Sequence, residues 1–399
     1  MTTGSVLKDR EVLSRARAGD PIALLRVLVA TPSVNPELDP RGAGEKNIAR
    51  LVAGFMEGWG LQVDLDEVAP GRYNVVGRLG GPPYPLLLNG HLDTVGTASM
   101  TTPPFGAAES GGRVHGRGSA DMKGGLASIL AAVARVARQG GSRSGAGSVL
   151  VAFTADEEHA SVGMQSLIAS GLASEARAAV VAEPTGLAVM PAHKGFLWLT
   201  LESEGRAAHG SRPDRGVDAI RGAALYLAEL EGLRTELASR PPHPLLGHAS
   251  FHAGTIEGGE GASVYPAHCR MVLERRTLPQ ERPDQVLGEF MEVLGRLHAR
   301  SDVKNLRLEP GLFRPGSEVP AHGDEVRAVL RAIESGGVPG RVEGMSAWVE
   351  AAYLNDAGLP AVCFGPGLIE DAHSDDESVS IEQVQQAADV FERMVRGAQ

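Results

Sequence analysis

The chain has 399 residues, more than one ordinary domain needs and about right for two. Its 43% hydrophobic and 22% charged residues are typical of a soluble globular protein, and its net charge of −11 lacks the basic footprint of a nucleic-acid binder. No run reaches the roughly 18 apolar residues of a membrane span.

Two cysteines, Cys269 and Cys363, form no spaced framework, which points to a reducing compartment. No apolar core precedes Ile22, so the expected location is the cytoplasm. Residues 5–19 carry apolar side chains at helical spacing, and a second helix, 21–30, has Pro21 where the missing N–H costs nothing. Thr31-Pro32-Ser33-Val34-Asn35-Pro36 is a turn cluster. Residues 45–59 form an amphipathic helix with Ile48, Leu51, Val52 and Phe55 on one face, stopped by Gly60. Segments 61–68 and 73–78 read as strands.

The apolar run 86–95 reads as a buried strand whose C-terminal end carries His91 and Asp93. In open α/β sheets, ligands bind at that end. Residues 116–125 set Asp121 between glycine turns just before an Ala/Leu-rich run from Leu126, within an alanine- and glycine-rich helical stretch over 120–139, and a flexible loop is expected at 140–147. Strand-like 149–154 ends in Asp156-Glu157-Glu158, and 178–182 ends in Glu183-Pro184-Thr185.

After Glu183 the pattern changes. Strands are expected at 194–204, 249–256, 262–265 and 269–276, with helices at 217–233 and 282–298 and a Pro/His-rich loop at 241–247. A β-α-β-β-α-β order fits a small sandwich with helices on one face of an antiparallel sheet. From about Leu308 the α/β character returns, and the strand and turn 361–367 precede Asp371-Ala372-His373-Ser374. Four apolar runs and one glycine-turn segment thus lead to histidines or carboxylates, the nitrogen and oxygen donors of a two-metal site.

In their order and spacing, His91-Leu92-Asp93, 116–125, Asp156-Glu157-Glu158, Glu183-Pro184, 205–220, 274–279 and 365–373 resemble one family over nearly the whole chain. It is the dinuclear zinc amidohydrolase and metallopeptidase family of acetylornithine deacetylase, succinyl-diaminopimelate desuccinylase, aminoacylase and glutamate carboxypeptidase. The resemblance implies an α/β fold: a metallopeptidase-like catalytic domain, a mixed sheet flanked by helices, over 1–191 and 308–399. An α+β sandwich, a lid or dimerisation domain, is inserted over 192–307. It implies two divalent metal ions, Zn2+ foremost, with Co2+ and Mn2+ suited to the same donors. Asp121 bridges them, His91 and Glu183 complete one site, and Glu158 and His373 complete the other.

The resemblance also assigns roles. Glu157 is the base that activates a metal-bridging water and returns its proton to the leaving amine. Asp93 is too near His91 in sequence to share its metal; it accepts a hydrogen bond from the ring and fixes its tautomer. His209, in Gly205-Arg206-Ala207-Ala208-His209-Gly210-Ser211, stabilises the oxyanion and reaches the site from the partner subunit of a homodimer. Arg276 grips the substrate carboxylate, while Arg275 points away. Gly365, in Gly365-Pro366-Gly367, brings backbone groups toward that carboxylate.

Two segments depart from the family pattern. Ser263 stands where many relatives carry an asparagine that contacts substrate, and Val349-Glu350 where Thr-Asp is frequent. The implied activity is hydrolysis of the amide of an N-acyl amino acid, of acetylornithine deacetylase or succinyl-diaminopimelate desuccinylase type. The alternative is a metallo-carboxypeptidase or dipeptidase acting on small peptides with a free C-terminal carboxylate. No Gly-x-Ser-x-Gly elbow or cysteine nucleophile context supports a metal-independent hydrolase.

Overall fold

Every residue of the strand Leu87–His91 is buried, because parallel neighbours flank it on both sides. A computed structural model describes residues 6–139, 147–300, 303 and 305–397. The expected loop at 140–147 lies, but for Gly147, outside them. Val149–Thr154 pairs with this strand in the register His91 to Thr154, and Ala179–Val181 pairs on the other side in the register Asn89 to Val181. Ala361–Cys363 continues the parallel set beyond Ala179–Val181. Gln62–Ala69 and Arg72–Leu79 extend one side as antiparallel strands, and Val189–His193 pairs antiparallel with Ala361–Cys363 at Met190. The sheet is therefore mixed, as expected, with four parallel strands at its centre. Their C-terminal ends, His91, Thr154, Val181 and Cys363, lie at one level, which brings distant parts of the sequence to one edge.

Helices cover the sheet because their apolar stripes have nowhere else to go. Gly124–Arg138 packs against Ile381–Gly397 and Pro21–Val29, with Leu126, Leu130, Val133, Leu28 and Phe391 in the core. Lys46–Gly58 packs on Gln62–Ala69 and Arg72–Leu79 through Ile48, Val52 and Met56. The first helices start where an aspartate caps them: Asp20 accepts from the N–H groups of Ile22 and Ala23 at 3.1 and 2.8 Å, with Pro21 following. The helix expected from residue 120 begins instead at Gly124, since Asp121 is extended at φ −121°, ψ 97°. A small sheet of Ala108–Ser110, Arg113–His115 and Ser378–Ser380 was not foreseen.

The chain folds into two compact units. The first runs to Pro191 and takes up again at Val319–Glu343 and from Val349; the second is Ala192–Glu318 with Gly344–Trp348. The division expected at residue 307 falls inside Leu306–Arg314, a strand that its pairing with Gly195–Glu204 keeps in the second unit. That unit has an antiparallel sheet in the order Ser250–Gly258, His268–Thr277, Gly195–Glu204, Leu306–Arg314. Ala219–Ser239 and Pro283–Arg300 pack on it in the expected β-α-β-β-α-β order. Leu197, Leu199 and Leu201 alternate into a core with Tyr226 and Phe290, and the Tyr226 hydroxyl donates to the Phe290 carbonyl at 2.9 Å. The strand expected at 262–265 reduces to a single bridge between Val264 and His209, since the left-handed Gly259 breaks the run before it. Among the described residues, no helix is long and apolar enough to cross a membrane, and both cysteines are buried thiols.

Candidate metal centre

Five of the expected side chains meet in the first unit: His91, Glu158 and Glu183 at or just after parallel strand ends, Asp121 in the kink before Gly124–Arg138, and His373 in a later turn. One ligand atom each of His91, Asp121 and Glu183 lies within 4.8 Å of the others, and the same holds for Asp121, Glu158 and His373. The two groups share Asp121. Its Oδ1 stands 3.0 Å from His91 Nε2 and its Oδ2 3.3 Å from His373 Nε2, so its two oxygens face different histidines. His373 Nε2 is also 3.2 Å from Glu158 Oε2. His373 itself sits at a left-handed φ of 59°, in a turn that Arg113 ties down through Asp371 Oδ2 at 2.5 Å and Ser378 Oγ at 2.8 Å.

The electrostatics show what this arrangement needs. Burial and the charges of Asp121 and Glu158 push Glu183 up to about 8. Burial, with Glu183, Glu158 and Glu350 around it, raises Glu157 well above the usual carboxylate range, and burial raises Glu158. Burial alone would lower His373, but its bonds to Asp121 and Glu158 win and raise it to about 11. His91 is likewise raised against its burial by Asp121 and Asp93. The two imidazoles are thus drawn toward positive charge amid crowded carboxylates, surroundings that a bound cation would relieve. Two imidazoles and three carboxylates, in two groups with one shared aspartate, are a donor set that fits a pair of divalent cations.

Around these groups the structure revises several expectations. The Nδ1 of His91 donates to the backbone carbonyl of Asp93 at 3.0 Å, while the carboxylate Oδ1 is farther, at 3.6 Å. The Asp93 carboxylate instead accepts from the backbone N–H groups of Glu157 and Glu158 at 3.1 and 3.3 Å. It thus fixes the turn carrying both glutamates. Gly365 is buried; its N–H donates to Thr185 Oγ1 at 3.0 Å and its carbonyl accepts from Leu187 at 3.0 Å. Its backbone groups are engaged inside the protein and not offered to a substrate, and a Cβ there would meet the Glu183 carbonyl at 2.6 Å. The glycine lets two strand ends approach.

His209, Ser263 and Arg276 belong to the second unit. His209 is exposed, with Nδ1 2.8 Å from Ser211 Oγ, and the loop around it meets the exposed Ser263, whose carbonyl accepts from Gly210 at 2.7 Å. Arg276 is half-buried, stacked over Phe196 at 5.4 Å and bonded to Glu274 at 2.7 Å. Arg275 is fully buried and bonded to Glu281 at 2.6 Å.

Two further carboxylates, Glu377 and Glu350, stand beside the centre. Glu377 accepts from the N–H groups of Gly118, Ala120 and Asp121 at 3.0, 2.9 and 3.1 Å and from Arg117 at 2.7 Å. It thereby holds Asp121 out of the helix that follows. Its signal was its place four residues after His373. Glu350, noted only as a departure from the family pattern, is buried, accepts from Thr154 Oγ1 at 2.8 Å, and is raised to about 7 by burial.

Known proteins share this arrangement of chain and fold. The sequence model of peptidase family M20/M25/M40 matches residues 87–397. An acetylornithine deacetylase from Edwardsiella ictaluri is 31% identical over 371 residues, 90% of this chain and 92% of its own. Among solved structures, the aminopeptidase PepT from Bacillus cereus superposes with a TM-score of 0.76 at 20% identity, over 95% of this chain and 98% of its own. A dinuclear metal binding peptidase from the M20 family of Bacillus subtilis superposes at 0.71 with 16% identity, over 96% of this chain and all of its own. The chain belongs to peptidase family M20/M25/M40 and is a metallohydrolase of that family.

Proposed function

We propose that this chain is a two-metal deacylase that hydrolyses the amide bond of N-acyl amino acids, with N-acetylornithine and N-succinyl-diaminopimelate as leading substrates. The observation that carries the reading is the pair of donor groups sharing Asp121. The choice of acyl amino acid over peptide rests on the resemblance to an acetylornithine deacetylase along 90% of the chain. His91, Asp121 and Glu183 would hold one Zn2+, and Asp121, Glu158 and His373 the other. When bound, two such cations polarise the scissile carbonyl and acidify water.

The chain's own residues do the rest. Glu157 lies in neither donor group, and its raised pKa suits a carboxylate that takes a proton from the attacking water and gives it to the leaving amine. Asp93 orients the Glu157–Glu158 turn. Arg276 receives the substrate carboxylate, and Ser263, beside the loop of His209, contributes a substrate contact. The second unit serves as lid and dimerisation domain, and His209 of the partner subunit donates to the oxyanion. His209 is exposed, as that role requires.

The test is hydrolysis of N-acetylornithine, N-succinyl-diaminopimelate, N-acetylmethionine and several dipeptides with Zn2+, Co2+ or Mn2+ and with chelator, alongside a measurement of mass in solution. Metal-dependent release of acetate or succinate by a dimer supports the reading. Faster turnover of dipeptides moves the enzyme to the peptidase alternative, which uses the same residues. Failure of the protein to bind metal overturns the assignment from His91 onward.

A further inference from the structure

Arg72 lies at the start of the strand Arg72–Leu79, and nothing in its sequence context marks it. In the structure it is buried and forks onto two carboxylates. Its Nε and Nη2 donate to Glu45 at 2.7 and 2.5 Å, and its Nη1 stands 2.9 Å from Asp156 Oδ1. Glu45 precedes the helix Lys46–Gly58 but makes no capping bond to it; it faces Arg72 and accepts from the backbone N–H of Asp156 at 3.2 Å.

Asp156 is the residue immediately before Glu157. It is held at a left-handed φ of 71°, a conformation that costs a non-glycine residue and persists only when its surroundings enforce it. Those surroundings are complete. Beyond Arg72 and Glu45, its carboxylate accepts from Asn35 Nδ2 at 3.0 Å and from the N–H groups of Ala160 and Val162 at 3.2 and 3.4 Å. The same Asn35 amide donates to Asp93 at 2.7 Å, and Asp93 accepts from the N–H groups of Glu157 and Glu158. One guanidinium therefore anchors a buried chain that grips the Glu157–Glu158 turn from both sides: through Asp156 before it and, by way of Asn35, through Asp93 at its backbone.

We infer that Arg72, acting through Glu45, Asp156 and Asn35, is a positioning residue for the Glu157–Glu158 pair. It touches neither donor group itself. Its planar fork satisfies two carboxylates at once, which a lysine's single ammonium does not reproduce. The inference rests on the proposed roles of Glu157 and Glu158. It also makes an asymmetric demand: Glu158 belongs to only one of the two donor groups, so loosening its turn weakens one metal more than the other.

The experiment is titration of the metal-free full chain with Co2+, followed by visible absorption and calorimetry. It uses the unaltered protein, Glu158→Ala, Arg72→Lys, Arg72→Met and Asn35→Ala, with folding checked by circular dichroism. The unaltered protein should bind two equivalents, and Glu158→Ala should weaken one of them. The folded Arg72 and Asn35 variants should then bind one equivalent as before and the other roughly 10- to 100-fold more weakly. Their kcat on N-acetylornithine should fall at least as far, with KM within about threefold. Arg72→Met should lose more than Arg72→Lys. Folded variants with both affinities and kcat unchanged overturn the positioning role alone. Losses that follow the unfolded fraction, or that strike both metals equally, mark a merely structural pair and overturn it as well. If the unaltered protein binds no pair of Co2+ ions, the functional reading fails and this inference falls with it.

Discussion

Glu157 and Glu158 are adjacent in sequence, yet the structure gives them different surroundings. Glu158 Oε2 lies 3.2 Å from His373 within a donor group, whereas Glu157 belongs to neither group. Glu157→Gln keeps the side chain's size and removes its basicity. It should lower kcat by roughly 10^2- to 10^4-fold while leaving two metals bound, checked by steady-state kinetics beside elemental analysis of the same sample. Loss of metal together with activity would make Glu157 a ligand and exchange the two roles. The proposed ligands His91, Glu158, Glu183 and His373 are legible in the sequence because each ends or follows an apolar run, and Asp121 because it stands between glycine turns. Residues that hold the ligands gave no such signal. Arg72 and Glu45 are ordinary charged residues 27 positions apart whose pairing exists only once a strand and a helix meet. Asp93 lies beside His91, but its carboxylate serves the backbone of Glu157 and Glu158, a long-range bond that local spacing does not reveal.

At the scale of elements, long periodic segments were legible and short ones were not. The helices Pro21–Val29 and Lys46–Gly58 carry apolar stripes over two turns or more. The strands Ala108–Ser110 and Arg113–His115 have three residues each, too few for a period. The second glycine of the helix Gly124–Arg138, Gly125, has a stricter purpose than flexibility. A Cβ at Gly125 would lie 2.1 Å from the carbonyl oxygen of Ala182, the residue before Glu183. Gly125→Ala should therefore destabilise by about 1–3 kcal/mol in denaturant unfolding. It should also weaken metal binding, because the helix must move away from the strand end that carries a ligand. Unchanged stability and metal affinity would show that helix and strand are not in close contact. In the second unit, His193 offers a pH test. Its Nδ1 donates to the Lys194 carbonyl at 3.1 Å, its Nε2 has no partner among the described residues, and burial lowers it to about 4. Unfolded, it titrates near 6.5, so the unfolded chain takes up a proton that the folded chain refuses. Stability is intact above about pH 6.5 and falls as pH drops toward 4, by up to roughly 3 kcal/mol from this residue. Urea midpoints at pH 7 and pH 4.5 should separate less in His193→Gln than in the unaltered chain; equal separation removes His193 as the cause.

For the whole molecule, the interruption of one α/β unit by another fold was visible as a change of pattern after Glu183. Its far boundary was not, because the edge strand Leu306–Arg314 resembles the segment that follows it until its pairing with Gly195–Glu204 is known. The interruption has an energetic consequence. The first unit is built from segments on both sides of the insertion, and its donor groups draw on both: His91, Asp121, Glu158 and Glu183 come from before it and His373 from after it. A cation bound at Asp121, Glu158 and His373 therefore joins the distant parts of the chain, while the metal-free site confines Glu157, Glu158 and Glu183 together with their pKa values raised. Both effects favour the loaded folded state over the unfolded one. A ligand at about a thousand times its dissociation constant stabilises by about 4 kcal/mol, which for a unit of this size raises the midpoint of thermal unfolding by roughly 10 °C. Chelation followed by dialysis should lower the midpoint by that order, and Zn2+, Co2+ or Mn2+ should restore it. In His373→Ala the metal-dependent part should shrink, since one donor group loses its histidine and its tie to the C-terminal segment. A midpoint indifferent to chelator, in protein shown to have carried metal beforehand, would mean that the ions bind folded and unfolded chains alike and contribute nothing to holding the interrupted unit together.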